Sequence, residues 1–203
     1  MSMRSKLRAP LRVFLRASPD AGSTGPEPDP TPAPLVGLTV YTADSLAVGY
    51  VPLTAGRVTD LLDERGDFEF VDTYVESLDD GHGLALRSVV IARDEIHVVA
   101  VAGPRGDPRR RKRTRSIPVE MRVGPYDVSG NIHVVPGADP IMSFRRRTMV
   151  PLTEATVEWD APDGRMSARW ATVVVNRLLA AWIAPARCDI RPPDLQLLPE
   201  VDG

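Results

Sequence analysis

Apolar and polar residues alternate with a period of two through most of residues 36–186, and the alternating runs stop at Gly, Pro, Asp or Asn. Successive side chains of an extended strand point to opposite faces, so this pattern predicts half-buried β-strands. Leu38–Tyr41 and Ala47–Leu53 are the first two expected strands. Arg57–Arg65 is the one helix-like stretch of this half, at most two turns long and stopped by Gly66. Phe68–Ser77 resumes the alternation, Asp79–Gly83 reads as a turn, and Leu84–Ala92 with Glu95–Ala102 is expected to form a hairpin through Arg93-Asp94.

The same order returns downstream. Val119–Val123 and Gly130–Val135 are expected strands, 136–140 a turn, and Ile141–Arg146 stands in the place of the short helix. Met149–Trp159 is a long strand, and Met166–Val175 with Leu178–Ala184 is expected to close a second hairpin through Asn176-Arg177. Gly49-Tyr50-Val51 aligns with Gly130-Asn131-Ile132, the run Phe70–Glu76 with Leu152–Glu158, and Ser88–Arg93 with Thr172–Arg177. The offset between the copies drifts only from 81 to 84 residues. The expected fold class is all-β with minor α: two tandem small β-barrels or curled sheets with one short helix each, behind a disordered N-terminal tail. The expected divisions are 1–35, 36–104, 105–116, 117–186 and 187–203.

The stretch from Gly130 through Met149-Val150-Pro151-Leu152-Thr153-Glu154-Ala155-Thr156-Val157 to Val173-Val174-Val175-Asn176-Arg177 resembles a small bacterial β-domain family without an assigned function. Arg57-Val58-Thr59-Asp60-Leu61-Leu62-Asp63 resembles that family's Arg-Leu-Ser-Asp-Leu-Leu-Asn turn, and Pro151-Leu152-Thr153-Glu154-Ala155 its Pro-Leu-Thr-Asp-Ala strand. The two pieces fall in different repeats, so each repeat keeps part of the pattern. The resemblance implies a small Sm-like barrel or sandwich and no activity.

Composition narrows the setting. Aromatic residues make up only 5% of the chain, so the core must rest on Val, Leu, Ala and Ile. The 20 prolines, about twice the usual share, concentrate in residues 19–35 and in the tail after Pro185. A single cysteine, Cys188, rules out an intramolecular disulfide and a cysteine-based metal cage. That usage fits a reducing compartment, and with no secretory signal pattern and no long apolar stretch the expected location is cytoplasmic.

The net charge of −2 conceals a segregation. Residues 1–17 carry five cations and no acid, whereas 37–103 hold twelve acids against four arginines. The run 105–115 has seven cations in eleven positions, and 117–186 is neutral. Leu7, Leu11, Phe14 and Leu15 fall on one helical face between basic residues, a pattern for a membrane surface or a partner protein, although Pro10 opposes a helix and a basic disordered tail is the first reading. Arg109, Arg110, Arg111, Lys112, Arg113 and Arg115, extended by Arg145, Arg146 and Arg147, form a candidate phosphate-binding or nucleic-acid-binding set. The same run also reads as a solvated linker, or as a strap against the acidic first repeat. It holds no aromatic residue for base stacking.

Catalytic chemistry finds no footing. His97 and His133 lie in expected strands without a second ligand at metal spacing, and His82 with Asp79 and Asp80 reads as a solvated turn before it reads as a metal site. Asp60, Asp63 and Glu64 read as one solvated helix face, and no nucleophile–base pairing or phosphate-cradling glycine loop occurs. The expectation is a chain that is not an enzyme and needs no cofactor and no metal, with no small-molecule substrate identified. It is read as an adaptor or assembly module that binds protein, self-association included, with nucleic acid or a membrane surface as alternative partners.

Overall fold

The computed structural model describes residues 33–101 and 113–186. The candidates Leu7, Leu11, Phe14, Leu15, Arg109, Arg110, Arg111 and Lys112, and the tail from Arg187, lie outside the described residues. The elements run β1 (Leu35–Tyr41), β2 (Ser45–Pro52), α1 (Val58–Glu64), β3 (Asp67–Ser77), β4 (Gly83–Ala92) and β5 (Val98–Val101). They continue with β6 (Arg115–Val123), β7 (Tyr126–Val134), α2 (Pro140–Arg145), β8 (Met149–Ala161), β9 (Gly164–Asn176) and β10 (Ala180–Pro185). The all-β reading holds. The strands of the two expected repeats, however, do not close into barrels. They join in one open antiparallel sheet, ordered β10-β6-β7-β8-β9-β5-β1-β2-β3-β4.

The two expected closing hairpins are absent. β4 and β9 each run into a 3-10 turn, at Arg93–Glu95 and Arg177–Leu179. The strand that follows does not return along its predecessor: β5 pairs with β1 and β9, and β10 pairs with β6. After the first turn Ile96 is fully buried, and the His97 backbone N–H donates to the Tyr41 carbonyl at 2.9 Å. The connection therefore passes through buried Ile96 to the far side of the β1–β4 group, where β5 lies between β1 and β9. Apolar content alone does not distinguish that path from a hairpin.

Two clusters of buried side chains follow. One gathers Val36, Leu38, Phe68, Phe70, Val89 and Ile91 beneath Leu61 and Leu62 of α1. Burying residues of this size stabilises by about 1.5–3 kcal/mol each. The other gathers Val119, Met121, Val123, Val128, Leu152 and Val157 with Phe144 of α2. α2 is capped by Asp139, whose Oδ1 accepts from the Ile141 and Met142 N–H groups at 2.7 and 3.2 Å, and Pro140 fits the first helical turn. β5 and β9 meet in the middle of the sheet, with Val98, Val99 and Ala100 opposite Val175, Val174 and Val173. Val98, Ala100, Val173 and Val175 enter the second cluster, while Val99 and Val174 enter the first. β5 and the last four residues of β9 are buried on both faces, which is why Val98–Val101 and Val173–Val175 read as unbroken apolar runs rather than as alternation.

Each half has a bulge at a matching place, and the β10–β6 register shifts as well, between Ala180 and Trp182. The β2–β3 register shifts between Val48 and Tyr50, and the β7–β8 register between Ser129 and Asn131. Asp72 and Glu154 take the strain, with φ of 48° and 50°. The residues facing the bulges are Gly49 and Gly130. A Cβ at Gly49 would lie 2.7 Å from Thr73 Oγ1, and one at Gly130 would lie 3.1 Å from the Ala155 Cβ.

Candidate interaction surface

The outer face of β1–β3 carries an apolar strip that the core does not use. Leu35, Val48, Tyr50 and Tyr74 are 56%, 49%, 49% and 47% exposed. Val48 stands opposite Tyr74, and Tyr50 opposite Gly37. The Tyr50 ring lies beside Gly37, 3.5 Å from where a Cβ would sit, and the Tyr74 ring occupies the space that a Cβ at Gly83 would need. The two tyrosines belong to a strip bounded by Thr39 and Ala85, a surface suited to an apolar partner.

The corresponding face of the second half is polar. The residues at matching register positions are Ser116, Ser129, Asn131 and Thr156. Asn131 Nδ2 donates to Glu154 Oε2 at 3.0 Å, and His133 Nε2 lies 2.7 Å from Thr153 Oγ1. Farther along the strands, Arg122 contacts Asp127 at 2.7 Å, and Arg165 reaches Asp127, Glu158 and Asp160. Partial desolvation pushes the Asp127 carboxyl up, but hydrogen bonds and charge from Arg122 and Arg165 outweigh it, so it lies below the usual carboxylate range. Hydrogen bonds to Asp127, Glu158 and Asp160 raise the Arg165 guanidinium, which stays charged throughout.

Of the candidate basic set, Arg113, Arg115, Arg145, Arg146 and Arg147 are described, and all five are exposed. Arg115 opens β6 opposite Val134, the last residue of β7, and the chain runs from there to α2, which rests against β7. Arg115 and the arginines at the end of α2 thus share one end of β7. The histidines do not come together. His97 is buried, its Nδ1 lies 3.1 Å from the Glu95 carbonyl, and its ring occupies the space beside Gly124 that a side chain there would need. The Asp79–Gly83 turn is exposed, and the His82 backbone N–H donates to Asp80 Oδ1 at 3.0 Å, which holds that carboxyl below its ordinary range. Asp60, Asp63 and Glu64 are exposed on α1, and among the described residues no group of three His, Cys, Asp or Glu is placed to hold a metal. Among the described residues no helix is long and apolar enough to cross a membrane.

Sequence reasoning missed the Leu35, Val48, Tyr50 and Tyr74 strip. A signal was present: in Leu46-Ala47-Val48-Gly49-Tyr50-Val51 both strand faces are free of charged and hydroxylic aliphatic residues, so the alternation expected of a half-exposed strand fails there. The fold and surface define an all-β chain built on one open ten-stranded sheet. No family model, curated protein or solved structure matches it.

Proposed function

We propose that the protein is a non-catalytic interaction module made of two diverged copies of one small β unit, and that its first copy binds a protein partner through the outer face of β1–β3. Support for the duplication comes from register. Leu38 faces Gly49 and Val101, and Val119 faces Gly130 and Pro185, at separations that match the sequence offsets. The positive φ angles at Asp72 and Glu154, each beside a glycine-backed bulge, are hard to obtain from unrelated meanders.

The observation that carries the functional reading is the contrast between the faces. Leu35, Val48, Tyr50 and Tyr74 are exposed and apolar where the other copy has Ser116, Ser129, Asn131 and Thr156. A copy that needed only to fold had no use for two exposed tyrosines and two exposed aliphatic residues on one strip. Affinity capture with the full chain, compared with Tyr50→Ser/Tyr74→Ser, tests the reading. A stoichiometric protein partner retained by the first and lost by the second, at equal melting temperature, supports it. Equal capture by both chains refutes it.

A second reading, phosphate-backbone binding by the basic set, draws on the common location of Arg115 and Arg145–Arg147 at one end of β7. Its signature is retention on nucleic acid that weakens steeply with salt and is lost when residues 105–115 are removed.

A further inference from the structure

The central β5–β9 pairing is a junction between two equivalent units, and the counterparts of both strands are left at the two ends of the sheet. β4 corresponds to β9 and β10 corresponds to β5. We propose that these ends join in the same way between chains, so that β4 of one copy pairs antiparallel with β10 of the next in a head-to-tail assembly. The proposal rests on reading the chain as two equivalent units.

The register is dictated by the junction already present. Val98, Val99 and Ala100 lie opposite Val175, Val174 and Val173. Carried to the ends by the sequence offset of 84, this places Trp182, Ile183 and Ala184 opposite Ile91, Val90 and Val89 of a second chain. The facing of the side chains agrees. At the junction Val173 and Val175 point into their own core, and Val174 enters that of the other unit. On β4, Val89 and Ile91 are in their own core, and Val90 points the other way, partly exposed. On β5, Val99 is in its own core while Val98 and Ala100 enter the other. On β10, Ile183 packs against its own core, and Trp182 is left 49% exposed. Trp182 and Val90 are thus apolar residues at positions whose counterparts, Val98 and Val174, are fully buried by the junction.

Charge protects neither end: β10 carries none and β4 carries only Arg87, outside the proposed pairing, while the register shift at Ala180/Trp182 and Pro185 flank the paired run Trp182–Ala184 of β10 rather than interrupt it. Charge favours this partner as well. At the junction α1 of the first unit lies against β8, whose Met149 is fully buried. The corresponding contact between chains brings α2, with Arg145, Arg146 and Arg147 at its end, toward β3, where Asp67 takes the place of Met149 and Glu69 follows. The acidic first unit of one chain meets the arginines of another. Because the two surfaces differ, the contact repeats head to tail and either closes into a ring or extends.

Sedimentation velocity on the full chain from micromolar to millimolar concentration tests the proposal, with Val90→Lys and Trp182→Lys as variants. The wild type is expected to reach at least twice the 22.2 kDa chain mass. Each variant alone is expected to stay monomeric, and their mixture to form a 1:1 dimer through the one intact end that each retains. A wild type that remains monomeric overturns the proposal, and so does a mixture that fails to associate where the wild type does. Ala92→Lys and Ala184→Lys repeat the experiment if either first variant does not melt cooperatively. The Tyr50→Ser/Tyr74→Ser chain is expected to assemble as the wild type does, so loss of partner capture and loss of self-assembly are separate failures.

Discussion

The phenol of Tyr126, at the start of β7, donates a 2.6 Å hydrogen bond to the backbone carbonyl of Thr42, 84 residues away at the end of β1. The Tyr41 ring packs edge-on to Tyr126 at 5.3 Å and to Trp159 at 5.6 Å, and its oxygen accepts from Trp170 Nε1 at 2.9 Å. These contacts fasten the two halves beside the β5–β9 ladder. Tyr126→Phe is expected to cost about 1–2 kcal/mol, because a buried carbonyl loses its partner, measured by urea unfolding.

Alkaline pH probes the same bond. Burial, with charge repulsion from Tyr41 and Asp44, raises the Tyr126 phenol well above its ordinary value. The folded chain therefore keeps a proton that the unfolded chain releases above about pH 10. Stability from this group is fully present below that point and is lost as pH rises beyond it. The wild type is expected to lose stability more steeply above pH 10 than Tyr126→Phe, followed by circular dichroism and tyrosinate absorbance.

Gly49 is required by contact rather than by torsion. Gly49→Ala is expected to destabilise by about 1–3 kcal/mol, the usual cost of overpacking, because the new Cβ meets Thr73 Oγ1 and the Val71 carbonyl. Thr73 Oγ1 is buried and has no hydrogen-bond partner among the described residues. Thr73→Ala is therefore expected to be mild by itself and to recover about 1 kcal/mol of the Gly49→Ala loss, read from a double-mutant cycle of melting curves.

Glu154 occupies a left-handed backbone position that favours glycine. Glu154→Gly is expected to stabilise by up to about 1 kcal/mol after the added entropy of the unfolded chain is counted. The side-chain bond that Glu154 accepts from Asn131 is exposed and worth little. Asp72→Gly is expected to gain less, because Asp already tolerates this region. Thermal unfolding of the two variants against wild type checks both the gain and its order.

Asp127 makes stability depend weakly on acid. Its folded-state carboxyl is depressed, so its contribution is present above the unfolded carboxylate value and is lost as pH falls through the folded one. Arg165→Ala is expected to move the Asp127 titration upward, followed by carboxyl NMR, with little change in stability at neutral pH because the network faces solvent.

Strand existence was legible because the Phe68–Ser77 and Met149–Trp159 alternations each have one buried face to enforce it. The short helices were legible too, Arg57–Arg65 enclosing α1 and Ile141–Arg146 falling within one residue of α2 at either end. Legibility failed at the partners of β5 and β10, where Arg93-Asp94 and Asn176-Arg177 looked like hairpin bends. A short polar break between apolar runs is compatible with a hairpin or with a crossing, and only the buried path of Ile96 decides. The basic residues were visible as charge, but their shared end of β7 follows from the Arg115–Val134 pairing.

Local pattern by itself determined that this is a β chain with its charge spread unevenly along the sequence, because side-chain period and turn chemistry act over a few residues. Tertiary structure decided that the halves share one sheet, that β5 and the Val173–Val175 end of β9 are covered on both faces, and that Val90, Trp182 and the Tyr50–Tyr74 strip are not. Whether an apolar residue is buried depends on which strand lies beside it, and that neighbour stands as many as 77 residues away in the Val98–Val175 pairing.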